Sequence, residues 1–140
     1  MSKKPEFADL FFSKTKDFLD IFLKSQEQRS ADTIKAYRIS LSSFYKYVTE
    51  VKEMKVMHFC FSDCTYEFVL SYSQYLQEAQ KLANSTVNQR LAALKSYLKY
   101  VSDGDIGLMQ IYMAVQKVPL LKTPKLQRPV IEKEDLKAFL

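Results

Sequence analysis

The sequence has 140 residues, 47% hydrophobic and 26% charged, with a formal net charge of +5, a balance that supports one ordinary globular domain and excludes a disordered chain. It holds only 2 glycines and 4 prolines, against roughly 7% glycine in average proteins, which excludes glycine-rich phosphate loops and turn-dense β-sandwiches or barrels. Two cysteines, Cys60 and Cys64, and the single histidine His58 fall short of a four-donor zinc site or a disulfide scaffold, so neither metal nor cofactor is expected.

No apolar run reaches a membrane span, and the charged residues Lys3, Lys4, Asp9, Lys14, Lys16 and Asp17 are incompatible with a signal peptide. A cytoplasmic protein is expected. The charge is unevenly placed: residues 84–130 carry 7 basic side chains against Asp103 and Asp105 alone, while the rest of the chain is nearly balanced. That surplus fits either a solvated helix face or a surface for a polyanion, most often nucleic acid.

In chain order, Phe7 to about Gln26 predicts a first helix, with Phe7, Leu10, Phe11, Phe18, Ile21 and Phe22 at three- and four-residue spacing. A second helix is expected after Ser30 or Asp32 as cap, with Ile34, Tyr37, Leu41, Phe44 and Val48 as its core stripe. Residues 51–62 read as a buried connector. Ser62 or Asp63 is expected to cap a third helix reaching about Gln80, with Phe68, Tyr72, Tyr75 and Leu76 inward. Asn84 or Ser85 is expected to cap a fourth, with the stripe Val87, Leu91, Leu94, Leu98 and Val101, stopped at Gly104. A short fifth spans about Ile106 to Lys117.

Three prolines then fall between Pro119 and Pro129 amid Lys122, Lys125 and Arg128, with no acid. This reads as an extended basic linker over 118–130, after a helical domain over 1–117. Residues 131–140 read as the first helix of a second domain. The whole predicts an all-α, orthogonal bundle of four to five helices with no sheet.

The second and fourth helices are related by an offset of 53 residues. Thr33-Ile34 matches Thr86-Val87, and Leu41-Ser-Ser-Phe-Tyr-Lys-Tyr-Val48 matches Leu94-Lys-Ser-Tyr-Leu-Lys-Tyr-Val101. A shared core stripe explains Leu41/Leu94 and Val48/Val101, but not Ser43/Ser96, Lys46/Lys99 or the threonines.

The stretch Ser30-x-x-Thr-Ile-x-x-Tyr-x-x-x-Leu-x-x-Phe44, with Ser85-Thr-Val-Asn-Gln-Arg-Leu-Ala-Ala-Leu-Lys-Ser-Tyr97 and Arg128-Pro-Val-Ile-Glu-Lys-Glu-Asp-Leu-Lys-Ala-Phe-Leu140, resembles the N-terminal SAM-like core-binding domain of tyrosine recombinases, the phage-integrase and Xer-like family. The resemblance implies a helical bundle that grips duplex DNA for integration or recombination, with two helices at the major groove. A catalytic domain beginning near residue 131 would close the clamp, and the full protein would assemble with itself on DNA, at the nucleoid. Thr33, Ser85 and Thr86 would then suit phosphates at helix N-termini. Asn88, Gln89 and Arg90 would reach base edges, and Lys35, Arg38, Lys46, Lys95 and Lys99 would bind phosphates. Lys122, Lys125 and Arg128 would lay the linker along the duplex.

Gln89-Arg90 stands where the family often has two basic residues, and Ala83 where serine commonly starts the fourth helix. The family's catalytic arginine, lysine, histidine and tyrosine motifs are absent from these residues: there is no His-x-x-Arg, and Tyr37, Tyr72, Tyr75 and Tyr97 fall on core stripes. No catalytic residue is therefore expected here. The alternative is a helical module that docks another protein without DNA, which salt-insensitive association would reveal.

Overall fold

The computed structural model describes residues 6–123. Within them the chain is all-α, with no sheet and one isolated antiparallel bridge between Leu10 and Cys60. Lys125, Arg128 and residues 131–140 lie outside the described residues.

The N-terminal stretch is not one helix. Phe7–Asp9 and Phe11–Lys14 are separate 3-10 turns, divided by Leu10 in extended conformation. The Phe11 N–H donates to the Phe59 carbonyl at 2.8 Å, and this break turns the Phe11 ring inward while Phe7 stays 71% exposed. The following helix, Asp17–Gln26, is π-wound, a winding usually confined to single turns. Its wider turn buries Phe18, Leu19 and Leu23 and leaves Ile21 half exposed, so the expected α-periodic stripe is shifted here.

Helix α1, Ala31–Lys46, starts at Ser30, whose Oγ accepts the Thr33 N–H at 3.2 Å and whose hydroxyl donates to Thr33 Oγ1 at 3.0 Å. A π-wound turn, Tyr47–Val51, extends it. Leu41, Phe44 and Val48 are buried, with Ile34 and Tyr37 packed at the edge of the core. Helix α2, Tyr66–Glu78, is capped by Thr65, which accepts the Phe68 N–H at 3.1 Å. Asp63, an expected cap, instead closes the preceding turn by accepting the Cys60 N–H at 2.8 Å.

Helix α3, Asn84–Gly104, buries all five residues of its expected stripe. Its N-cap is Ala83, with no side-chain cap, so neither Asn84 nor Ser85 takes that role. After a turn at Ile106–Leu108, helix α4, Met109–Gln116, packs back on α3.

The serine pair of the 53-residue repeat has a physical reason. Ser43 Oγ lies 2.7 Å from the Tyr72 hydroxyl and Ser96 Oγ 3.5 Å from the Tyr37 hydroxyl, so the equivalent serines each satisfy a tyrosine from a neighbouring helix. Burial raises the Tyr72 phenol to about 12, against the opposing pull of the Ser43 hydrogen bond and the nearby Arg90 guanidinium. Tyr97 is fully buried and its pKa is pushed up by that burial. Its hydroxyl donates to the Phe11 carbonyl and accepts the Lys14 N–H at 3.2 Å. The connector is sorted by side: Phe59, Phe61 and Cys64 are buried, whereas Met57 and His58 are exposed.

Helix α3 ends at Gly104 as expected, but three other helical segments close without glycine. No glycine has positive φ, and the left-handed positions after the first helix, after the α1 extension and after α2 are Gln28, Glu53 and Lys81, at φ of 51°, 55° and 53°. At each, the next N–H returns to a carbonyl six residues back: Arg29 to Leu23, Met54 to Val48 and Leu82 to Leu76, at 2.8–3.0 Å. A side chain there meets the Cβ clash that glycine avoids. Lys81→Gly is expected to raise stability by about 0.5–1 kcal/mol, after the added entropy of the unfolded chain is subtracted. A lower urea midpoint for that variant would refute this account.

Candidate functional site

Helices α1 and α3 pack against each other, and the sequence places their polar residues around that junction. Lys35, Arg38, Ser42 and Lys46 follow at steps of three and four, so they share one exposed face of α1. Arg90 comes up beside this face from α3. Arg38, Ile39, Ser42, Ser43, Lys46, Gln80 and Arg90 line one open cleft of about 430 Å³. Three of these carry positive charge and none is acidic.

The cations differ in commitment. Arg38 reaches Asp20 on the π-wound helix at 3.5 Å, with both side chains about half exposed, so that pair contributes little to stability. Lys46 and Arg90 make no ion pair among the described residues. Arg90 is half buried, and its Nε is shut from solvent without a hydrogen-bond acceptor. A buried donor left unsatisfied is costly.

On the other side of the junction, Thr33, Ala36, Tyr37 and Ser40 of α1 face Gln89, Ala92 and Ala93 of α3 across a shallow hollow of about 240 Å³. Gln89 is exposed at its rim and Thr33 is partly held in the Ser30 cap. Ser85 and Thr86 lie in the first turn of α3, near both features in sequence but lining neither. Lys35 lines a third cleft with Lys24, Arg29, Asp20 and Arg38.

The remaining expected contacts are placed otherwise. Asn88 does not present a free amide: its Nδ2 donates to the Leu121 carbonyl at 2.8 Å and its Oδ1 accepts the Leu121 N–H at 2.7 Å. Lys95 Nζ donates to the Val118 carbonyl at 2.6 Å, and desolvation there lowers its pKa. The Lys122 carbonyl accepts from Asn84 Nδ2 at 2.8 Å, while its side chain is exposed. Lys99 sits a helical turn from Asp103, at 3.4 Å, and faces away from the cleft lining. Asn88 and Lys95, expected at bases and phosphates, are thus engaged by the chain's own backbone, because residues 118–122 return along α3.

Ser42, Ser43 and Gln80 line the cleft without having been singled out as site residues. Ser42 was legible from its spacing to Lys35 and Arg38, and Ser43 from its repeat partner Ser96. Gln80 was not, because it enters from the end of α2. No helix among the described residues is long and apolar enough to cross a membrane.

Comparison with known proteins places this arrangement in a family. The chain is 30% identical over 89 residues to the tyrosine recombinase XerC of Roseiflexus sp. (strain RS-1), covering 61% of this chain and 26% of that protein, so it spans about a quarter of that relative's length. No solved structure matches it significantly. The family model for the phage integrase SAM-like domain matches residues 14–116, a range running from the end of the Phe11 turn to the last residue of α4. The chain therefore belongs to the phage integrase SAM-like domain family.

Proposed function

We propose that this chain is the DNA-gripping module of a site-specific tyrosine recombinase, and that it holds duplex DNA through the α1–α3 junction. The observation that carries this reading is the acid-free cleft in which Arg38, Lys46 and Arg90 converge beside Ser42 and Ser43. Cations and hydroxyls at that spacing suit successive phosphate oxygens. Gln89 stands at the neighbouring hollow, where an amide can pair with adenine beside the small apolar surface of Ala36, Ala92 and Ala93. Thr33, Ser85 and Thr86 complete the interface from the first turns of the two helices, and Lys35 extends it along α1. The chemistry of strand exchange falls to residues beyond this domain, since Tyr72 and Tyr97 are buried and satisfied.

The test is titration of a labelled duplex with the 140-residue chain at several salt concentrations, read by fluorescence anisotropy. Binding is expected to weaken steeply as salt rises. Arg90→Ala is expected to cost about 1–3 kcal/mol in affinity. Salt-insensitive binding, or an Arg90→Ala variant as tight as the parent, would sink the reading. It would then favour a protein-docking module.

A further inference from the structure

We propose that Asn88 is a positioning residue: with Asn84 and Lys95 it clamps residues 118–122 onto α3 as a strap, and so fixes where the chain leaves the domain. The strap rests on hydrogen bonds to backbone groups at three of its residues. Lys95 holds the Val118 carbonyl at 2.6 Å, Asn88 holds both the carbonyl and the N–H of Leu121 at 2.8 and 2.7 Å, and Asn84 holds the Lys122 carbonyl at 2.8 Å. Positions 84, 88 and 95 fall within one narrow stripe of a helix with 3.6 residues per turn, which is a line of anchors along α3.

The geometry of Asn88 is specific. A side-chain amide offers one acceptor and a donor in a plane, and here it pairs with one residue's N–H and C=O as a neighbouring strand would. No other side chain supplies that pair at that length except glutamine, one methylene longer. The apolar side chains reinforce the clamp: Val118 is 1% exposed and Leu121 packs against the core, while Leu120 is half exposed.

The strap has a direction. Val118 lies at Lys95, Leu121 at Asn88 and Lys122 at Asn84, so it runs antiparallel to α3 and back toward its first turn. The last hydrogen-bonded residue of the strap, Lys122, therefore sits at Asn84 in the first turn of α3. A sequence with three prolines between 119 and 129 would otherwise read as a loose tether from the far end of α4. The strap replaces it with a fixed point of departure at the first turn of α3. This holds whether or not the cleft binds DNA.

The experiment compares the full chain with Asn88→Ala and Asn88→Asp by limited trypsin digestion, following cleavage after Lys122. Loss of two hydrogen bonds is expected to speed that cut about tenfold in Asn88→Ala, because cleavage of a locally opened segment follows its open population. Asn88→Asp, which keeps the acceptor and loses the donor, is expected to fall between. Cleavage after Lys35 within α1 should keep its parental rate in both. A Lys122 rate equal to the parent in Asn88→Ala overturns the proposal. If Asn88→Ala does not fold, amide exchange in the unaltered chain decides: the Leu121 N–H is expected to be protected well above that of Leu120, and equal exchange overturns it. Duplex affinity gives a further arm. Asn88→Ala should bind within about twofold of the parent, whereas a tenfold loss would assign Asn88 to the nucleic acid and overturn its positioning role.

Discussion

Phe11→Ala is expected to destabilise the domain by about 3–5 kcal/mol, a large part of the ~5–15 kcal/mol that holds an ordinary domain together. Phe11 is fully buried, and its ring sits at the meeting point of four chain segments. Ring centroids lie at 4.9 Å for Phe12, 5.2 Å for Phe44, 5.3 Å for Tyr97 and 5.5 Å for both Phe59 and Phe61. Removing it leaves a cavity between α1, α3, the connector and the N-terminal turn, none of which can collapse without moving the others. Its backbone is also committed, to the Phe59 carbonyl and the Tyr97 hydroxyl, so the emptied site cannot close by sliding the chain. Phe7→Ala is the matched control: the same deletion at a ring 71% exposed should change stability by less than about 0.5 kcal/mol. Urea denaturation of both variants checks the pair, and similar losses for the two would refute the placement of the core.

The second large effect is expected on binding. Replacing Arg38, Lys46 and Arg90 together by alanine should weaken duplex affinity about 100-fold at low salt, taking each lost contact as about 1 kcal/mol. The slope of log affinity against log salt should also become shallower by about 2.7, since each neutralised phosphate contributes about 0.9. Lys99→Ala removes one charge of the same sign, but from a residue beside Asp103 and away from the cleft, so it should leave both quantities near the parent. Equal losses from the triple variant and Lys99→Ala would show that net charge alone governs binding and that the cleft has no special part in it.

The cleft shows how far residue types and spacing carry a reading. Lys35, Arg38 and Lys46 share a face because a helix repeats every 3.6 residues, and that face was legible from the chain alone. Arg90 was legible as a candidate but not as their neighbour. Its place in the cleft depends on how α3 packs on α1, across which Tyr37 meets Ser96 and Phe44 and Leu94 are buried. Asn88 and Lys95 are engaged within the chain for a reason with no local signal: the chain leaving α4 returns along α3 and hydrogen-bonds to them.

The N-terminal segment is not the single helix expected. Its apolar spacing is compatible with one α-helix, yet pairing of Leu10 with Cys60 and of Phe11 with Phe59 breaks it, a choice made by residues some fifty positions away. Scarce glycine pointed away from sheets, in keeping with the all-α fold, and three helical segments close without it, through Gln28, Glu53 and Lys81 in left-handed conformation.

By itself the sequence determined the all-α class, the long α3 with its buried stripe, and the family, because periodicity and short motifs are local properties that the backbone must honour. Tertiary structure alone decided which polar side chains remain open to a ligand. A donor's availability depends on what else reaches it, and in this protein the competitor for Asn88 and Lys95 is the returning chain itself.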